Sequence, residues 1–207
     1  MRYRLRLGLM AASCAVLLSF ATSAATARRF SLNNPHFRIS WPELRITIGG
    51  VTVRCPVRFE GAFHSRTISK VCGQLIGYIE TAGVTEASCT NGGARVLSES
   101  LPWHVRYHSF TGTLPTITEI RVMVVGLRMS FNILGVTCLV ATTATEPLYL
   151  EGDVEPNGEL RIFISEEVNQ IAFGGALCEF AGKARFAGIG EAFVGGTNER
   201  ITVRLIL

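Results

Sequence analysis

The chain has 207 residues, 48% of them hydrophobic, with 20 Lys and Arg against 16 Asp and Glu and a formal net charge of +4. Much of that excess sits at the N-terminus, where Arg2, Arg4 and Arg6 precede a short apolar stretch from Leu7 to Ala21. Set aside residues 1–27 and the 20 basic side chains lose those three arginines, leaving 17 against 16 acids, near +1. A near-neutral chain excludes the electrostatic footprint of a nucleic-acid-binding protein and offers no basic run for anionic lipid.

Residues 1–27 read as a secretory signal peptide, with Ala25-Thr26-Ala27 as a small-x-small cleavage site and cuts after Ala24 or Ala25 as alternatives. The apolar run, about 15 residues, falls short of the ~20 that a spanning helix needs, so an uncleaved anchor is the lesser alternative. Cys14 lies inside the run, and Leu17, Leu18 and Phe20 continue it, which places any lipoprotein-type cleavage there too early. No later segment is long enough to span a bilayer as a helix. Residues 28–207 are therefore expected to form a single β-rich extracytoplasmic domain, large enough to bury a core.

Residues 28–36 read as a loose arm ending in the turn signal Asn33-Asn34-Pro35. A hairpin follows. Leu44, Ile46 and Ile48 alternate with polar residues, Gly49-Gly50 suits a two-residue turn, and Val51, Val53, Cys55, Val57 and Phe59 resume the alternation. Pro56 marks that strand as an edge or a bulge. Next, Ile68, Val71, Cys72, Leu75, Ile76 and Ile79 recur at three- and four-residue steps, which predicts an amphipathic helix capped by Ser65 or Thr67. Gly73 and Gly77 each weaken such a helix by ~1 kcal/mol relative to Ala. Beyond it, strands are expected near 94–98, 103–110, 119–125, 127–133, 136–142, 147–154, 159–165, 183–189 and 200–206, with Pro156-Asn157-Gly158 turning one hairpin. The fold class is mainly β, a sandwich or small barrel with one inserted helix.

The cysteines carry an internal echo. Gly50-Val51-Thr52-Val53-Arg54-Cys55 is answered by Gly135-Val136-Thr137-Cys138, and each is followed by a second cysteine, Cys89 or Cys178, and then by Ala-Arg, at Ala94-Arg95 and Ala184-Arg185. The chain reads as two pseudo-repeats, about 44–133 and 134–207. Four cysteines allow three pairings. The echo selects Cys55–Cys89 and Cys138–Cys178, each worth about 3–4 kcal/mol in the chain-entropy picture. Cys72 is left as a free thiol, expected to be buried on the apolar helix face.

Chemistry is sparse. Trp103, His104, Arg106 and His108 form the sharpest cluster and a possible binding face. On a strand, His104 and His108 lie ~13 Å apart, too far to share a metal ion. The lone aspartate, Asp153, and His36, His64, His104 and His108 make no triad signature, and His64-Ser65 has adjacency without triad geometry. Glu60 and Glu151 hold matching positions in the two halves and would do acid/base work only if they faced each other. No catalytic residue, cofactor or metal site is assigned.

The segments Cys55-Pro56-Val57, Glu60-Gly61, Phe63-His64-Ser65, Ile76-Gly77-Tyr78, Leu101-Pro102-Trp103-His104 and Phe110-Thr111-Gly112-Thr113-Leu114-Pro115 resemble a group of secreted bacterial proteins with no assigned activity. That resemblance implies secretion and carries over no site residue. The leading expectation is a secreted or cell-surface protein with a non-catalytic binding or structural role. The alternatives are a carrier holding a small apolar ligand in a barrel cavity, an extracellular hydrolase, and a porin-like barrel.

Overall fold

A computed structural model describes residues 29–113, 115–171, 178 and 182–206; the expected signal peptide and Cys14 lie outside them. The strands are β1 (Arg29–Leu32), β2 (His36–Ile48), β3 (Val51–Phe63), β4 (Thr67–Ile68), β5 (Leu75–Val84), β6 (Gly93–Val96), β7 (Trp103–Thr111), β8 (Glu119–Val125), β9 (Arg128–Ile133), β10 (Val136–Ala141), β11 (Leu148–Val154), β12 (Leu160–Ile171), β13 (Lys183–Val194) and β14 (Val203–Ile206). Eight of them close a barrel in the order β11-β8-β7-β5-β3-β2-β13-β12, and the ring is completed by β11 on β12, from Glu151 opposite Phe163 to Val154 opposite Leu160. Of the two β architectures expected, the chain adopts the barrel.

Period-two alternation drives closure. In β2, Phe37, Ile39, Leu44, Ile46 and Ile48 are buried, and in β3 so are Val53, Cys55, Val57 and Phe59. Polar residues such as Arg45, Arg54 and Arg58 point outward. The Gly49-Gly50 turn has positive φ at both residues (57° and 81°), the geometry that matches strand twist in a two-residue hairpin. An apolar interior with charges outside is the reverse of a membrane-spanning barrel, and no helix among the described residues is long and apolar enough to cross a membrane.

Four strands overrun the barrel. β2 and β3 have 13 residues each, and β12 and β13 have 12 each. Their far ends are joined by β10, β9 and β6, in that order from β12. The segment before β6 folds back onto β3 through a bridge between Arg54 and Thr90 and an Asn91 side-chain amide donating to the Thr52 carbonyl at 3.4 Å. The core runs through both parts without a break. Trp41, Phe59 and Trp103 stack edge-to-face at 5.1 and 5.3 Å, and Phe131 meets Phe186 at 6.1 Å in the extension.

Cys55 is bonded to Cys89, and Cys138 to Cys178. Cys55 and Cys138 point into the core. With separations of 34 and 40 residues, each bond removes about 4 kcal/mol of chain entropy from the unfolded state.

The structure corrects three expectations. The helix over residues 68–79 is absent: the segment is β4, a turn at Gly73 (φ 79°) and β5. The helical spacing arises from a bulge, because the β5–β7 register shifts between Leu75 and Gly77, leaving Ile76 and Ile79 both buried though three apart. Glycine serves close approach here: a Cβ on Gly77 would lie 2.4 Å from the Ala62 carbonyl oxygen, and one on Gly61 1.9 Å from that of Tyr78. Cys72, expected to be buried, is exposed in the turn beside Val71, which is 61% exposed. The loose arm is instead β1, paired on one side with β14 and on the other with β4. Phe30 explains its order: the ring is fully buried against Tyr107 and Phe110, a burial worth about 1.5–3 kcal/mol.

Candidate functional site

β7 sets the site by alternation. Trp103, Val105 and Tyr107 face the barrel interior, while His104, Arg106 and His108 face outward and are half-buried. Trp103 therefore does not share the face proposed for it. It is 0% exposed, and its indole N–H donates to Ser100 Oγ at 2.9 Å.

Cross-strand register brings in residues that local sequence does not reveal. Tyr78 on β5 lies opposite His104, and its ring sits between those of His64 and His104, at 5.1 and 5.4 Å. Met123 on β8 lies opposite Arg106 on one side and Tyr149 of β11 on the other. Tyr149 packs edge-on to His108 at 5.1 Å, and the Arg121 guanidinium lies 4.3 Å above the Tyr149 ring. Arg121 is also ion-paired to Glu151 at 3.3 Å and to Glu166. Tyr78 falls within the segment read as helical. Tyr149 lies within an expected strand, but its juxtaposition with His108 depends on the order β7-β8-β11, for which the sequence carries no local signal.

The face holds little chemistry of its own. His108 Nδ1 lies 2.7 Å from the Ser109 hydroxyl, and Arg106 Nη1 donates to the Gly73 carbonyl at 3.3 Å. Among the described residues Arg106 has no carboxylate partner, and no group of three or more His, Cys, Asp or Glu side chains is placed to hold a metal ion. Glu60 and Glu151 do not meet: β3 and β11 are diametrically opposite in the barrel order, and each carboxylate is ion-paired to an arginine on its own side, Arg58 or Arg121. His36 and His64 lie at the start of β2 and just past the end of β3, and Asp153 is exposed at the far end of β11.

The interior is a separate candidate. A cavity of about 60 Å³ lies between Phe37, Ile39, Ile79, Leu150 and Ile162 and is capped by the small sheet through Leu32, Ile68 and Val203. Its walls offer no polar side chain. A void that accepts benzene measures about 150 Å³, so this one is too small for an acyl chain, and it lacks the polar partners that would hold water.

Tyr107 is also buried, two residues along β7 from the cavity-lining Val105. Its phenol is pushed up to about 12, chiefly by burial, with the nearby Cys72 thiol adding to the shift. No family model matches the chain, and no curated protein or solved structure matches it either.

Proposed function

We propose that this chain is a secreted, non-catalytic binding protein whose recognition surface is the outward face of β5, β7, β8 and β11, centred on Tyr78, His104, Arg106, His108 and Tyr149. One observation carries the reading: aromatic, imidazole and guanidinium groups lie side by side, half-exposed, on a continuous hydrogen-bonded sheet. Tyr, Met and Arg are the residue types enriched where proteins bind partners, and a sheet face presents them in fixed positions. The small apolar interior weighs against a carrier, and the separated carboxylates weigh against a hydrolase. Two disulfides favour an oxidising compartment, in keeping with export by the N-terminal signal.

The same reading takes the scaffold as a duplicated unit, and reciprocal pairing supports this. β6, which follows the first cysteine loop, pairs with β9 of the second hairpin. β13, which follows the second loop, pairs with β2 of the first. The order hairpin, disulfide, crossing strand thus runs once from β2 and again from β9, which sets the boundary of the halves before β9, a few residues ahead of the 133/134 division read from the cysteine echo.

The test is a binding isotherm of fluorescently labelled mature protein on envelopes isolated from the cells that secrete it. Saturable binding that weakens about tenfold in the H104A/R106A/H108A variant supports the proposal. An unchanged isotherm in a variant that keeps its fold defeats it.

A further inference from the structure

Away from that face, the overrunning ends of β3, β2 and β13 gather three arginines. Arg54 lies directly opposite Arg45 across the β3–β2 ladder, and Arg185 on β13 is two residues from Ala187, the residue opposite Arg45. Directly opposite side chains have Cβ atoms ~4.5–5.5 Å apart, and diagonal neighbours stand ~7–8 Å apart. Three guanidinium groups can therefore reach one point above the sheet. All three are exposed, and the strands beneath are tied by the Thr47 and Thr52 hydroxyls at 2.8 Å. Like charges directly opposite each other destabilise a sheet, and an anion lying between them relieves that repulsion.

The local acids compensate incompletely. Glu43 takes the Nε edge of Arg45 at 2.7 Å. Glu167, opposite Arg185, is paired with Lys183 at 3.4 Å. Arg45, Arg54, Lys183 and Arg185 set against Glu43 and Glu167 leave two positive charges. The Glu43 carboxyl is held below the usual carboxylate range, first by its hydrogen bond to Arg45 and further by the charges of Arg45 and Arg54. An anion at this place already feels both arginines.

The geometry points to a binding site for a tetrahedral oxyanion, a phosphate or sulfate group, held by Arg54, Arg185 and the Nη edge of Arg45. The planar fork of arginine suits such groups because it donates two parallel hydrogen bonds. The site is independent of the β7 face and lies on other strands of the molecule.

The experiment is an NMR titration of the arginine Nε–H resonances of the mature protein with inorganic phosphate and, separately, sulfate, at ionic strength held constant with sodium chloride. Saturable shifts at Arg45, Arg54 and Arg185 are expected. Arg95 and Arg128, exposed diagonal neighbours on β6 and β9 with no third arginine opposite, should stay still. R54Q/R185Q should weaken binding about tenfold, and R54K should fall between. A response to phosphate alone would identify a phosphate site; equal responses would identify a site for doubly charged oxyanions in general. A linear drift, equal shifts at Arg95 and Arg128, or unchanged affinity in a folded R54Q/R185Q variant would overturn the site.

Discussion

Gly77→Ala separates the strand from the helix that the same residues suggest. In a helix the change would stabilise the protein by about 1 kcal/mol, because alanine is the better helix former. In the barrel it does the opposite. The new methyl carbon would lie 2.4 Å from the Ala62 carbonyl oxygen and 2.8 Å from the Phe63 Cα, both backbone atoms that cannot rotate aside. Relief requires β3 and β5 to move apart by roughly 1 Å where Ala62 faces Tyr78 and Phe63 faces Gly77, and overpacking of this kind costs about 1–3 kcal/mol, sometimes more. Guanidinium unfolding with the disulfides intact should show a lower midpoint at unchanged slope, and at about 2–4 °C per kcal/mol a fall in Tm of several degrees. A midpoint equal to or above that of the parent protein would refute close strand approach at Gly77.

Leu134 is 79% exposed with φ 51°, a left-handed conformation that disfavours a branched side chain. Leu134→Asn should therefore raise stability by about 0.5–1 kcal/mol in the same unfolding assay. Because the Tyr107 phenol is raised to about 12 from 10.0, the folded state keeps a proton that the unfolded state gives up. Its contribution should be intact below about pH 10 and disappear as pH climbs to 12, and ultraviolet titration should show one tyrosine ionising late. Cys72→Ser should move that tyrosine's transition to lower pH, since the nearby thiol adds to the shift. Cys72 itself should take one alkyl group in the native protein without denaturant, read as a single mass addition; labelling only after unfolding would contradict its exposure.

The parts of the fold legible in the sequence are those with short-range causes. The hairpin from Leu44 to Phe59 follows from strict alternation around Gly49-Gly50, and the two disulfides follow from an echo that a reader can see. What stayed hidden depends on long-range register. The bulge at Ile76 imitates a helix because one extra strand residue turns a two-residue step into three. β1 looks like a loose arm because its alternation, Arg29-Phe30-Ser31-Leu32, lasts only four residues before the Asn33-Asn34-Pro35 turn signal, and its order comes from Phe30 docking on Tyr107 and Phe110. For the candidate site, His104, Arg106 and His108 were visible as an outward strand face. Tyr78 and Tyr149 were not, because their places beside it depend on which strands neighbour β7. Trp103 belongs to the same sequence cluster, yet alternation sends it into the core, where Ser100 satisfies its indole N–H.

The most direct test of an outward binding surface compares two variants in the envelope-binding isotherm. One is H104A/R106A/H108A, which strips the β7 face. The other is Ala192→Val, which adds bulk to the wall of the internal cavity while leaving the exterior unchanged. Binding through the outer face predicts a loss of about tenfold for the first and parental affinity for the second. Loss of binding in Ala192→Val with the face variant unaffected would place recognition inside the barrel and contradict the proposal.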